Sequence, residues 1–263
     1  MRADKYFAEK YGSRTKAAEA IEKGLVLIDG KPIKAKTEIK EGCVITFVEA
    51  NEQFVSNGGY KLDRALKSFA FDCKDKVFAD IGASTGGFTD CLLQYGAKRV
   101  YAVDVGESLL HESLQGDTRI VQMENVNARY LTKQDFPEGL DGVVADVSFI
   151  SLRLIFPVIK EILKAEGDAF VLIKPQFECE KKHIGKSGIV PPAAHADIVK
   201  KVLKYLADSQ LYALNIINAP IRKGKNVEYV LHVRSSSTYA LTADRVIEKV
   251  KILVKKNSLG ELE

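Results

Sequence analysis

The sequence predicts an α/β protein in which helices cover both faces of a mostly parallel sheet. From residue 60 onward, short apolar segments with strand character alternate with longer segments of helical periodicity, as in doubly wound sheets. Residues 78–88 have the pattern of a buried strand followed by a glycine-rich turn, which is where such sheets bind ligands. Residues 1–50 have a pattern of their own and predict a small α+β domain.

The larger domain is predicted to span residues 59–263. Its strands are expected at residues 77–81, 99–103, 119–123, 142–145, 169–173, 212–219 and 228–233. Its helices are expected at residues 87–95, 109–114, 152–163, 193–209 and 243–255. The last two strands are joined without room for a crossover helix, so they should pair antiparallel and give the sheet one antiparallel edge strand.

The small domain is predicted to contain two helices and a hairpin. The helices are expected around residues 6–11 and at residues 13–23, with Ser13 as the N-cap of the second and Gly24 ending it. Asp29 and Gly30 form a hairpin-turn pair between two apolar segments. A polar linker is expected at residues 51–58.

Basic residues are frequent in this small domain. The cations that could meet a phosphate backbone are Arg14, Lys16, Lys23, Lys31, Lys34 and Lys36. Glutamates are interspersed among them, so an ordinary solvated surface explains the charges equally well.

Composition limits the class of protein. At 263 residues and 46% hydrophobic content the chain can bury a full core, and its net charge of +4 permits a nucleic-acid partner without requiring one. The four cysteines form no C-x-x-C pair, so we expect no metal site and no disulfide framework. No apolar run reaches the roughly 20 residues that a membrane span needs, and we expect a cytoplasmic protein without membrane contact.

The glycine-rich turn predicts a ligand that lies close to the backbone. Its spacing differs from the Gly-x-Gly-x-x-Gly pattern of dinucleotide sites. S-adenosylmethionine needs the close approach without a phosphate cradle, and we therefore favour it over a dinucleotide. The residues expected to contact this ligand are Asp80, Gly82, Ala83, Ser84, Thr85, Gly86, Gly87 and Phe88.

Acidic and polar residues after the next strands extend this candidate site. Asp104, followed by Val105, lies where an acid can accept both hydroxyls of a ribose, although a capping role is the alternative. Glu124, Asn125 and Asn127 could face an adenine edge or cap a loop. Asp80 could hold an amino group or bond loop amides.

Four charged residues are candidates for catalysis. Asp146 and Lys174 follow the fourth and fifth strands of the larger domain, and the carboxyl ends of parallel strands meet at one edge. A lysine directly after a buried strand is hard to explain as packing. Lys61 and Glu228 are weak candidates when each is taken alone.

Taken together, the motifs of this domain resemble known families. The order Lys61, Asp146, Lys174, Glu228 (the charged quartet) resembles the FtsJ-like ribose 2'-O-methyltransferases. The segments at residues 59–62, 80–90, 102–106, 146–152 and 174–178 are similar to those of the TlyA family. The resemblance implies a Rossmann-like class I methyltransferase sheet, and an S4-type (alpha-L) RNA-binding domain at residues 1–50. It also implies that the charged quartet is catalytic and that S-adenosylmethionine methylates ribose in ribosomal RNA or ribosomal subunits.

Basic loops and aromatic residues near the quartet could contact RNA. The basic loop residues are Lys182, Lys186, Arg222 and Lys225, which could grip phosphates or be solvated turns. Phe149, Phe177 and Tyr229 could stack on the methyl donor or on a base, or belong to the core. A catalytically inactive RNA-binding protein, a membrane-active haemolysin, and a methyltransferase acting on a small molecule or a protein are the alternatives.

Overall fold

The computed structural model describes residues 1–48, 53–180, 184, 188–222 and 224–258. The chain divides into two compact units, Met1–Gln53 and Phe54–Glu263. No helix within the described residues is long and apolar enough to cross a membrane.

The first unit packs two helices on a small antiparallel sheet. Its elements are α1 (Ala3–Tyr6), α2 (Arg14–Glu22), β1 (Val26–Ile28), β2 (Lys31–Pro32) and β3 (Ile45–Phe47). The strand order is β2-β1-β3, and a core that includes Phe7, Ile21 and Val26 lies beneath it. As predicted, Ser13 caps α2 by accepting a hydrogen bond from the Lys16 amide. The first helix lies earlier than the predicted residues 6–11.

The second unit contains a seven-stranded sheet. Its strands are β4 (Val77–Ile81), β5 (Arg99–Val103), β6 (Ile120–Met123), β7 (Leu140–Ala145), β8 (Leu163–Ile173), β9 (Tyr212–Asn218) and β10 (Tyr229–Arg234). The order is β6-β5-β4-β7-β8-β10-β9. Strands β4 to β8 pair in parallel, whereas β10 is antiparallel to both β8 and β9. Antiparallel pairing at this side of the sheet is confirmed; the reversed strand, β10, lies one position inside the edge.

Helices cover both faces of this sheet. They are α3 (Asn57–Phe69), α4 (Gly87–Gln94), α5 (Phe156–Ile162), α6 (Pro175–Glu178), α7 (His195–Asp208) and α8 (Ala243–Ser258). Side chains of a strand alternate between the faces. In β4, Phe78 joins the cluster that includes α3 and α4, whereas Ala79 joins the cluster that includes α5, α7 and α8.

Two expectations about this unit are wrong. The linker predicted at residues 51–58 extends too far, because Phe54 is fully buried in the second unit and Asn57 already begins α3. The helix predicted at residues 109–114 is only a 3₁₀ turn, Glu112–Leu114. Ser108, at a φ of 53°, bends the backbone just before the predicted start.

Candidate active site

Three members of the charged quartet lie at the ends of neighbouring strands. Asp146 follows β7 and Lys174 follows β8, so both lie at the carboxyl edge of the parallel strands. Glu228 precedes β10, which runs the opposite way and therefore begins at that same edge. Lys61 reaches the edge from the second turn of α3.

The charged quartet forms a continuous chain of ion pairs. Lys61 Nζ lies 2.8 Å from Glu228 Oε2 and 3.2 Å from Asp146 Oδ2. Lys174 Nζ lies 2.7 Å from Asp146 Oδ1. The four side chains are only 10–19% exposed. Charges so shielded from water interact more strongly than surface pairs, which contribute little.

The two lysines are held differently. Burial lowers the pKa of Lys61, but the Asp146 and Glu228 carboxylates outweigh burial and raise it above its ordinary value. Lys61 is therefore an ammonium at neutral pH. Lys174 donates a hydrogen bond of 2.7 Å to Ser148 Oγ. Among the described residues, Lys174 Nζ therefore contacts both Asp146 and Ser148 but donates a hydrogen bond only to Ser148, which leaves donor capacity for another acceptor.

A large cavity of about 720 Å³ opens beside Asp146. Gly82, Ser84, Asp104 and Val105, all candidate ligand contacts from the sequence, line this cavity. This volume lies within the range of about 300–1,000 Å³ that is typical of small-molecule sites.

Asp104 presents its carboxylate to this large cavity. The Ser84 amide donates to Oδ2 at 2.8 Å and the Gly106 amide donates to Oδ1 at 2.9 Å. A carboxylate has about four acceptor positions, so two remain for further donors. Two vicinal hydroxyls would satisfy them.

A small cavity of about 180 Å³ adjoins the large one, since Gly82, Ser84, Asp146 and Ser148 line both. Ala83, Thr85, Gly87 and Phe88 also line it, and so does Asp80. The Thr89 amide and hydroxyl donate to Asp80 Oδ2, whereas Oδ1 is buried without a hydrogen-bond partner among the described residues. Burial raises the pKa of Asp80 to about 7. An ammonium group in this cavity would satisfy that acceptor.

Gly82 allows the close approach that the sequence predicts. Its φ is 82°, and a Cβ there would lie 3.1 Å from the Asp146 carbonyl oxygen. A side chain is therefore disfavoured both by conformation and by space.

Some predicted residues lie away from these cavities. Glu124 and Asn125 line neither; the Glu124 carboxylate accepts from the Ser108 amide, and Asn125 adopts a φ of 57°. Gly86 lines neither cavity and instead caps α4, with a φ of 88°. The Glu124 carboxylate thus holds the loop that follows β5.

Asn127, named above with Glu124, does line the large cavity. Several other residues that line the cavities were not among the candidates: Ser56, Val126, Arg129 and Ser148. Small and polar residues in loops give no periodic signal, so only the position of Ser148 after Asp146 could have indicated it.

The three candidate aromatic residues differ in exposure. Phe149 lines the large cavity and is 91% exposed, with a φ of 61°. Its ring centroid lies 4.9 Å from that of Phe177. Tyr229 is fully buried and bonds His195, so it belongs to the core.

The candidate RNA-binding cations lie mainly on exposed surfaces. In the first unit, the exposed ones are Arg14, Lys16, Lys23, Lys31, Lys34 and Lys36. Arg14 pairs with the buried Asp4 at 2.8 Å. Arg222 and Lys225 are exposed in the second unit, whereas Lys182 and Lys186 lie outside the described residues. No cluster of three potential metal ligands occurs within the described residues.

A family comparison agrees with this geometry. The model of the FtsJ-like methyltransferase family matches residues 54–235, which include the whole charged quartet. The chain belongs to the FtsJ-like methyltransferase family. The model of the S4 domain matches residues 1–45.

Individual relatives of this FtsJ-like chain carry two kinds of name. The 16S/23S rRNA (cytidine-2'-O)-methyltransferase TlyA of Mycobacterium tuberculosis is 39% identical over 88% of each chain. Hemolysin A of Brachyspira hyodysenteriae is 40% identical over 88% of this chain and 99% of that relative. A solved structure from Streptococcus thermophilus, which carries a hemolysin name, covers 98% of both chains at 34% identity and a TM-score of 0.74.

Proposed function

We propose that this protein transfers a methyl group from S-adenosylmethionine to a ribose 2'-hydroxyl of ribosomal RNA. The observation that carries the proposal is the ion-pair chain of the charged quartet, whose central Asp146 lines both adjoining cavities. The name of the M. tuberculosis relative supports ribosomal RNA as the substrate.

The cavities suit S-adenosylmethionine. The unpartnered Asp80 Oδ1 would accept from the α-ammonium in the small cavity. Asp104 would accept from the ribose hydroxyls in the large cavity, and Gly82 lets the ligand approach the backbone. When bound, the ligand supplies an electrophilic methyl group on a sulfonium.

The quartet would serve the attacking ribose oxygen. In the transfer, an oxygen–carbon bond forms as the sulfur–carbon bond breaks, and the hydroxyl proton leaves. As an ammonium, Lys174 would donate to that oxygen and stabilise the developing alkoxide. As a neutral amine it would instead take the hydroxyl proton.

Lys61 and Glu228 would position the other pair. Lys61 holds Asp146 from the side opposite Lys174, and Asp146 thereby faces two cations. Glu228 in turn balances Lys61. This series of ion pairs would fix the position of the Asp146 carboxylate and, through it, the orientation of the Lys174 side chain.

The first unit would bind the RNA. Its match to the S4 domain and its exposed lysines support this role, with phosphate contacts that salt should weaken. If ribosomal RNA is the substrate, the protein works in the cytoplasm. Two relatives carry hemolysin names, but the charged quartet and its cavities support group transfer rather than a membrane function for this chain.

The decisive experiment is methyl transfer to separated ribosomal subunits. The protein is incubated with S-adenosylmethionine labelled in the methyl group and with each subunit, and methylated riboses are mapped. Lys174→Ala should abolish transfer while leaving the affinity for S-adenosylmethionine within about threefold of wild type, since one weak contact is worth less than about 0.7 kcal/mol.

Lys164→Ala is the matched control. Lys164 lies on β8, the strand that ends just before Lys174, and it also pairs with an aspartate, Asp141, at 2.6 Å. Its removal should leave transfer unchanged. Wild-type protein that binds the donor but methylates no ribose in either subunit would overturn the proposal.

A further inference from the structure

A third cavity, of about 510 Å³, opens beside the charged quartet. It lies between one face of α3 and the segment after β9, and we call it the α3 groove. Its α3 residues recur three or four positions apart, as a single helix face requires; they include Asn57, Tyr60, Lys61, Arg64 and Lys67. Pro220 and Arg222 form its other wall.

The α3 groove is predominantly cationic. Four of its lining residues are basic (Lys61, Arg64, Lys67 and Arg222) and one, Asp63, is acidic. Asp63 is already engaged, because Lys67 pairs with it at 2.9 Å and Tyr95 donates to it at 2.7 Å. Lys61 is likewise balanced by Asp146 and Glu228, so the cationic excess of the lining comes from the two arginines, Arg64 and Arg222, and it favours an anionic ligand.

The α3 groove and the large cavity meet at one ion pair. Lys61 lines the groove, Asp146 lines the large cavity, and their charged atoms are 3.2 Å apart. Direct displacement at a methyl group requires the acceptor to approach opposite the leaving atom. If the methyl donor fills the large cavity, the acceptor can enter from the α3 groove.

We propose that the α3 groove binds the phosphodiester backbone of an unpaired RNA strand beside the target nucleotide. Arg64 and Arg222 contact the phosphates, and Lys61 lies where the strand turns into the quartet. The inference rests on the proposed function and adds the path of its substrate.

The recessed quartet explains why the strand is unpaired. Lys174 is 10% exposed and Lys61 is 19% exposed. A duplex presents its riboses on a broad surface, whereas a single splayed nucleotide can enter a recess. The volume of the groove suits one nucleotide with the phosphates on either side of it rather than a helix.

The test compares the double variant Arg64→Gln/Arg222→Gln with wild type, using as substrate a ribosomal RNA that the wild-type protein methylates. The KM for RNA should rise about tenfold, with kcat and donor affinity within about twofold of wild type. The slope of log KM against log salt should fall by about 1.4, because each phosphate contact to a single strand contributes about 0.7. Arg222 is exposed, so Arg222→Gln alone keeps the test valid if the double variant unfolds.

Lys200→Gln/Lys204→Gln is the control that removes the same charge. Both lysines are exposed on α7, on the other face of the sheet from α3. An unchanged KM and salt slope in the arginine variants, or an equal change in the lysine control, would reject the groove. Wild-type protein that methylates no RNA would instead reject the proposed function.

Discussion

Lys61 Nζ lies 2.8 Å from Glu228 Oε2 and so links α3 to the start of β10 across 167 positions of sequence. Both side chains are less than one-fifth exposed. Without the Glu228 carboxylate, Asp146 alone would offset the effect of burial, which disfavours the charged form of Lys61. Glu228 therefore helps to keep Lys61 charged and paired with Asp146.

Glu228→Gln should slow methyl transfer by at least about tenfold, or ~1.4 kcal/mol in the barrier, with donor affinity unchanged. The amide keeps the shape but removes the charge that balances Lys61, so the orientation of Asp146 is less well fixed. Single-turnover kinetics on ribosomal RNA measure the effect. Glu138→Gln, which breaks ion pairs with Lys98 and Arg99, is the control and should not slow the reaction.

Donor binding should depend on pH through Asp80. Burial raises the pKa of Asp80 to about 7 in the donor-free protein, so the carboxylate that would hold an ammonium forms only as pH rises towards 7. We expect the Kd for S-adenosylmethionine to increase by up to about tenfold for each pH unit below 7. Calorimetry across this range should show a much flatter dependence in Asp80→Asn; an equally steep dependence there would assign it to another group.

The same carboxyl group affects stability with the opposite dependence on pH. Because the folded-state pKa of Asp80 is raised, the folded protein holds this proton more tightly than the unfolded chain does. Its contribution is fully present below the unfolded pKa of about 4 and is lost as pH rises through about 7. Asp80→Asn should remove that part of the pH dependence of chemical unfolding.

Phe149 should contribute to RNA binding and not to the stability of the fold. Its ring is 91% exposed at the large cavity, so stacking with a base would cover it. Phe149→Ala should lower kcat/KM for RNA by an amount equal to about 1–3 kcal/mol of transition-state stabilisation, and the affinity for the donor should be retained. Tyr239 is a close control, since it is 87% exposed and its φ is also positive, at 64°. Equal losses in Phe149→Ala and Tyr239→Ala would contradict a specific role.

Gly87 should tolerate no side chain. A Cβ there would clash with Ser56 Oγ and lie 3.0 Å from the Gly59 amide nitrogen. Gly87→Ala should reduce the free energy of unfolding by about 1–3 kcal/mol through overpacking. Gly58→Ala, on the facing helix, meets its nearest atom at 3.4 Å and should be tolerated. Thermal unfolding of the two variants distinguishes these cases, and equal melting temperatures would contradict the packing explanation.

The sheet could be predicted from sequence because its signal is local. The sequence predicts Val77–Ile81 and Arg99–Val103 to the residue, since short and largely apolar runs between polar residues are typical of buried strands. Helix α3 was not predicted, because Gly58 and Gly59 at its start resemble a turn. The structure shows that both glycines permit close packing, with Phe54 against Gly59 and α4 against Gly58.

The candidate site depended on long-range information. No periodicity relates Lys61 to Asp146 or Glu228, and only the family resemblance indicated that they act together. Side-chain direction in turns was beyond local patterns as well: Glu124 turns to the Ser108 amide, while Val126 and Asn127 line the large cavity in its place.

The reversed direction of β10 has an evolutionary consequence. Tyr229 pairs with Ile173, so the ladder itself sets Glu228 opposite Lys174. The Ala219 amide donates to the Glu228 carbonyl at 2.8 Å and closes the base of the intervening hairpin. The loop of that hairpin can consequently change in length and sequence between lineages while the charged quartet keeps its alignment. This makes the loop a place where new target preferences can arise.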